Sequence, residues 1–182
     1  MTCIEETAEK SIGHLLLEDG RIDEEMLAYA LKVQQVSRER LGDIMQRLRL
    51  VTDRDVAWVV AKQAGLEYHP MLVVSSSEEA LSQIPSSFAQ KHGLLPLSID
   101  DDHLVVACID PYAQNSLDRL TRFTSYPLRL VVAPEARLRR EVQRQYHLVE
   151  SHIEQEIERI AQAAAAGRDF VAERLMAVSY TH

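Results

Sequence analysis

The apolar positions between Ser11 and Gln63 are laid out twice. An offset of 29 residues superposes Ile12-Gly13 on Leu41-Gly42, and with them Leu16 on Met45, Ile22 on Val51, Leu27 on Val56, Leu31 on Val60 and Gln34 on Gln63. Each copy opens on an apolar residue and Gly, runs through an apolar patch, breaks at Asp23 or Thr52, resumes with apolar residues four apart and closes on Gln. A spacing of four keeps side chains on one face of an α-helix. The polar break supplies an oxygen for the free N–H groups of the next helix's first turn, and Thr52 to Asp55 has the form of a capping box. Each copy therefore predicts helix, short turn, helix, and the pair predicts a four-helix unit with quasi-twofold internal symmetry. Stacking such hairpins buries their stripes and by itself requires no ligand. Two features ask for more than packing. Gly13 and Gly42 stand where Ala would favour a helix by about 1 kcal/mol, which implies a close approach to the backbone, and Gln34 and Gln63 recur where packing leaves the choice free.

Beyond the repeat the period changes. Ala64-Gly65 closes the last helix, Leu66 to Val74 mixes β-forming residues with Pro70, Ser75 to Ser77 caps a short helix through Ile84, and Ser86 to His92 reads as another, ending at Gly93. Leu95 to Ile99 and Leu104 to Ile109 then flank Asp100-Asp101-Asp102-His103, a hairpin whose adjacent carboxylates read as a solvated turn rather than a metal site. Ala113 to Thr124 predicts a helix with Leu117, Leu120 and Phe123 on one face. Leu128 to Ala133 is β-rich, Pro134 opens a helix from Glu135 to Tyr146, and Val149 to Gly167 reads as a separate acidic helix. The fold class is α+β: an N-terminal helical bundle of two tandem helix-turn-helix repeats, then a small α/β sandwich with an antiparallel hairpin. The expected boundaries are 1–65 for the repeat, 66–148 for the α/β part and 149–182 for an acidic helical tail.

Charge and composition narrow the function classes. A net charge of -8 argues against a general nucleic-acid or anionic-membrane surface. Cys3 and Cys108 form no CxxC pattern, and His69 and His92 have no second ligand at metal spacing, so neither a disulfide framework nor a metal centre is expected. No run reaches the length of a membrane span and the first residues lack a signal-peptide pattern, which makes the cytoplasm the expected compartment. The chain holds no GxxxxGK[ST] stretch and suggests no nucleophile–base pair. It is read as non-catalytic, without a cofactor.

The repeat, the strand ending in Ala107-Cys108-Ile109-Asp110-Pro111 and the helix ending in Tyr146 carry a resemblance. From about Glu9 to Tyr146 the chain resembles the N-terminal domain of the ATPases that drive type II secretion and type IV pilus assembly. In the branch typified by the mannose-sensitive haemagglutinin pilus ATPase that domain is a receptor for cyclic di-GMP. The family motif runs Arg-Leu-Gly, apolar pairs, Gly, apolar residues, Gln. In the first copy Ile12, Gly13, Leu16, Leu17, Gly20, Ile22, Leu27, Leu31 and Gln34 fit, while Ser11 replaces the Arg and Arg21 an apolar residue. In the second, Arg40, Leu41, Gly42, Met45, Leu50, Val51, Val56, Val60 and Gln63 fit, while Gln46 and Arg49 replace an apolar residue and the Gly.

Two roles follow from the resemblance. As a nucleotide sensor, each copy lays its Gly-containing helix end, Gly13 or Gly42, and its Gln against one guanine-phosphate half of cyclic di-GMP. Ile12, Leu27, Leu31, Leu41, Val56 and Val60 form the floor under the bases, and Arg40, Asp43, Gln34, Gln63 and Asp110 make polar contacts. Binding then shifts the domain relative to a downstream ATPase motor, in cis or in trans. As a docking module, the domain holds the motor to the cytoplasmic domain of an inner-membrane platform protein, peripheral to the membrane and not inserted in it, and the same apolar residues are core. The Ser11 departure weighs on the first role. A missing Arg removes one or two charge-assisted hydrogen bonds, each about 1.5–3 kcal/mol.

Overall fold

The computed structural model describes residues 11–70 and 76–179, with side chains described as far as 162. Four helices make the repeat: α1 (Ile12–Glu18), α2 (Glu24–Ser37), α3 (Leu41–Arg47) and α4 (Asp53–Ala64). α1 and α3 are each 7 residues long, and the expected caps are in place. The Asp23 side chain accepts from the Met26 N–H, and Thr52 and Asp55 form a reciprocal capping box. The core of the bundle pairs equivalent positions, with Leu15, Leu16 and Ala30 from the first copy and Ile44, Met45 and Val59 from the second fully buried. The helices thus pack on Ala30 and Val59, which leaves Leu31 on the flank at 42% exposure.

The backbone approach implied at the two glycines is internal. A Cβ at Gly13 would lie 2.6 Å from Leu27 Cδ1, and one at Gly42 would lie 3.2 Å from Val56 Cγ1. Leu27 and Val56 are themselves equivalent under the repeat offset. Each glycine therefore lets the second helix of its own copy close onto the first.

After the repeat come β1 (Glu67–Tyr68), α5 (Glu78–Ser82), α6 (Ser86–His92), β2 (Leu94–Asp100), β3 (His103–Cys108), α7 (Gln114–Leu120), β4 (Leu128–Val132) and α8 (Glu135–Ser179). The sheet order is β1-β4-β3-β2. β2 and β3 form the expected antiparallel hairpin, from Leu94 opposite Cys108 to Asp100 opposite His103. Its two-residue loop has Asp101 and Asp102 at φ 51° and 59°, the left-handed turn residues that match strand twist in tight hairpins. β4 runs parallel to β3 and β1, so α7 belongs to the crossover that a parallel pair requires. β3 is the buried centre, α4 packs on β1 and β4, and α5 and α6 pack on β2.

Two expectations need adjusting. α7 ends at Leu120, where the Phe123 N–H closes a tight turn on the Leu120 carbonyl at 3.0 Å. Leu120 is buried, whereas Phe123 stays 43% exposed, with its ring 4.9 Å from that of Phe88. Glu135 to Ser179 is one helix of 45 residues instead of two; the His147-Leu148 join holds no Gly or Pro to interrupt it. The β-rich stretch after Pro70 and Ser75 lie outside the described residues, and Ser77 is the residue that caps α5. By contacts the chain falls into two compact units, one ending at Arg144 and the other beginning at Gln145, so repeat and sheet share a unit. No helix among the described residues is long and apolar enough to cross a membrane.

Candidate functional site

Where the second copy of the repeat meets the ends of β3 and β4, the first unit holds a cavity of about 370 Å³. One wall is the start of α3, with Arg40, Leu41, Gly42, Asp43 and Gln46, and α4 gives Asp53, Val56, Ala57 and Val60. Ile109, Asp110 and Tyr112 follow β3, Ala133 and Glu135 follow β4, and the first copy adds Ile12 and Gln34. Nine of the thirteen residues expected from sequence therefore converge: Ile12, Gln34, Arg40, Leu41, Gly42, Asp43, Val56, Val60 and Asp110. Gly13 and Leu27 instead pack on each other, Leu31 is exposed beside the bundle, and Gln63 is half-buried on α4.

Arg40 and Asp110 span the cavity. Arg40 is the N-cap residue of α3, extended at φ -66° and ψ 141°, and makes no capping bond with its side chain. Its guanidinium reaches across to donate to Asp110 Oδ2, while Asp110 Oδ1 accepts from the Tyr112 N–H at 2.9 Å. Asp110 thus orders its own turn and bridges to the repeat. The hydrogen bond to Asp110 and that carboxylate's charge push the Arg40 pKa further up, so the side chain is a permanent cation. Most of the Arg40 side chain remains in water. Exposed pairs of this kind stabilise by about 0–1 kcal/mol, so exchanging Asp110 for a ligand anion costs little.

The other polar groups are held by backbone. Gln34 Nε2 donates to the Glu39 carbonyl at 3.1 Å and fixes the link that delivers Arg40. The Asp53 carboxylate accepts from the Glu135 and Ala136 N–H groups, both at 3.0 Å, and so caps the start of α8 from the repeat. Ser11, the counterpart of Arg40, has the same extended backbone at φ -65° and ψ 151°, but its hydroxyl turns back onto the His14 N–H at 3.4 Å.

Sequence reasoning missed Gln46, Asp53, Ala57, Ile109, Tyr112, Ala133 and Glu135. Ile109 and Tyr112 flank Asp110, and Ala57 adjoins Val56, so proximity along the chain could have found those. Asp53 and Glu135 meet across 82 residues and leave no local signal. Chemically the cavity joins an apolar floor of Leu41, Val56, Val60 and Ile109 to one planar cation and flanking carboxylates. That suits a flat, hydrogen-bonding ring carrying an anionic group. Among the lining residues there is no Ser, Cys, His or Lys to act as a nucleophile.

Comparison with known proteins speaks to the fold. The MshEN domain model matches residues 64–152. Those residues are similar to an MshEN domain. The fold extends through the repeat as well: a structure of MshE with cdg, cyclic di-GMP, superposes with a TM-score of 0.67 at 27% identity, covering 76% of this chain and 100% of that one. The N-terminal domain of XpsE superposes with a TM-score of 0.62 at 26% identity, covering 75% and 94%. Among curated sequences, bacteriophage adsorption protein B of Escherichia coli K12 is 30% identical over 123 residues, 68% of this chain. The type IV pilus assembly ATPase PilB of Myxococcus xanthus is 25% identical over 135 residues, 74% of this chain. The chain spans only 16% and 24% of the length of those two relatives. The resemblance to the N-terminal domains of secretion and pilus ATPases, and the α+β class read from the sequence pattern, both hold.

Proposed function

We propose that this chain is a non-catalytic regulatory module that binds cyclic di-GMP in the cavity between its second repeat copy and its sheet. The observation that carries the reading is the convergence of Arg40, Asp43 and Asp110 over Leu41, Val56 and Val60, residues from elements far apart in sequence. It is supported by the fold shared with MshE, whose structure contains cyclic di-GMP. A guanine offers two N–H donors on one edge to a carboxylate, while a phosphate draws the guanidinium away from Asp110. Ligand binding then biases how this module meets an ATPase motor in cis or in trans. Isothermal titration with cyclic di-GMP tests the reading: heat of binding that Arg40→Ala abolishes supports it, and silence from the parent protein sinks it.

A docking role is the second reading, favoured by the exposed Met26, Tyr29 and Val36 on α2. Single exposed apolar residues are ordinary, but three along one helix suit a protein contact. The likeness to the XpsE N-terminal domain and to PilB makes an inner-membrane platform protein's cytoplasmic domain the partner to test by co-purification. Such binding would put the module at the membrane through its partner.

A further inference from the structure

Resting on the cyclic di-GMP reading, we infer that this chain engages its ligand at the wall of the second repeat copy and the strand ends, with only Ile12 and Gln34 added from the first copy, and so recognises one guanylate unit, a base with its phosphate, instead of both halves of a twofold dinucleotide. The repeat offset lets the copies be compared position by position. Ser11 and Arg40 leave the backbone in the same direction, yet Arg40 crosses to Asp110 while the Ser11 hydroxyl caps its own helix. The counterpart of Asp43 is His14, whose ring lies 3.4 Å from the Glu18 carboxylate on the same helix. The counterpart of Gln46 is Leu17, which packs against the apolar core of the bundle. The first copy has thus turned the positions of Arg40, Asp43 and Gln46 to capping, surface pairing and packing.

Charge points the same way. Arg40 is the one cation among the described residues lining the cavity, which also carries Asp43, Asp53, Asp110 and Glu135. Asp53 is occupied with the start of α8. One guanidinium matches one phosphate, and a second phosphate inside the same cavity would face carboxylates with no compensating cation among the described residues. A bound cyclic dinucleotide therefore seats one half and leaves the other outside.

The test is titration of the full chain with cyclic di-GMP, 5′-GMP and 5′-AMP, repeated with Ser11→Arg and Arg40→Ala, with thermal melting to establish that each variant is folded. The expected result is 5′-GMP binding within about tenfold of cyclic di-GMP and at least tenfold tighter than 5′-AMP, with both guanine ligands lost together in Arg40→Ala. Ser11→Arg is expected to tighten cyclic di-GMP by at least tenfold, as one added charge-assisted hydrogen bond does, and to leave 5′-GMP unchanged. Cyclic di-GMP binding with 5′-GMP weaker by more than a hundredfold overturns the half-site and leaves the sensor reading standing. 5′-GMP binding without cyclic di-GMP keeps the half-site and removes the sensor reading, and silence towards both guanine ligands overturns both.

Discussion

Arg49 occupies the place that Gly20 holds in the first copy, and both residues have left-handed backbone, at φ 57° and 66°. That conformation costs an L-residue about 1–2 kcal/mol, while glycine's extra freedom in the unfolded chain takes back about 0.5–1 kcal/mol. Arg49→Gly is accordingly expected to stabilise the fold by up to about 1 kcal/mol, read as a higher urea midpoint with an unchanged slope. Gly93 is the opposite case. Its φ is 61° and a Cβ there would lie 2.2 Å from Ile109 Cδ1. Gly93→Ala adds backbone strain to an overpacking term of about 1–3 kcal/mol, so a loss of at least about 2 kcal/mol is expected in the same unfolding measurement. The left-handed turn at Arg49 was legible as a motif Gly replaced. The reason for Gly13 was not, because Leu27, which fills the space a Cβ would take, sits in the next helix and only the folded hairpin brings it near.

At the scale of elements, the joint between α4 and α8 is the least obvious from sequence. Asp53 opens α4 and also takes the first two free N–H groups of α8. Removing a side-chain cap costs about 0.5–2 kcal/mol. Asp53→Ala is expected to lose that amount while Asp53→Asn, which keeps one of the two acceptor oxygens, loses less; no loss from Asp53→Ala in thermal melts would show that the clasp carries no stability. The sequence disclosed the elements whose signals are local: the four repeat helices through period and caps, and the hairpin through alternation and an acidic turn. It did not disclose that α7 is short, because Phe123 continues the helical period although the chain has already turned, nor that α8 runs unbroken past Tyr146. The same division explains the cavity. Residues carried by the motif were legible, whereas Gln46 stood out only as a departure from it, and Asp53 and Glu135 become neighbours through tertiary structure alone.

Across the molecule, two titrating groups sit at different seams and push stability in the same direction. Burial alone would raise the Asp55 pKa, but hydrogen bonds from Thr52 and the nearby Arg21 guanidinium outweigh it and hold the carboxyl below the ordinary 3.8. Asp55 thereby joins the two repeat copies, since Arg21 belongs to the first and also lies over the Trp58 ring at 5.7 Å. A lowered carboxyl contributes stability that is present above the unfolded pKa and is lost as pH falls through the folded one. His92 works at the other seam, with Nδ1 at 2.8 Å from Ser116 Oγ and Nε2 buried without a partner among the described residues. Burial, then Lys91 and Arg119, depress its pKa below the ordinary 6.5. The neutral ring is therefore the folded form, and its contribution, full above the unfolded value, falls away as pH drops from about 6.5 towards the lower folded value. Stability measured by urea unfolding is expected to decline in two steps on acidification. His92→Gln, which keeps a hydrogen-bonding amide but does not titrate, should remove the upper step and spare the lower one. Thr52→Val, which deletes the hydroxyl that Asp55 accepts from, should shrink the lower step and spare the upper. A single step that neither variant changes would mean that acid acts on the fold through other groups. Separable steps would show that repeat and sheet regions answer protons through different contacts although they belong to one compact unit.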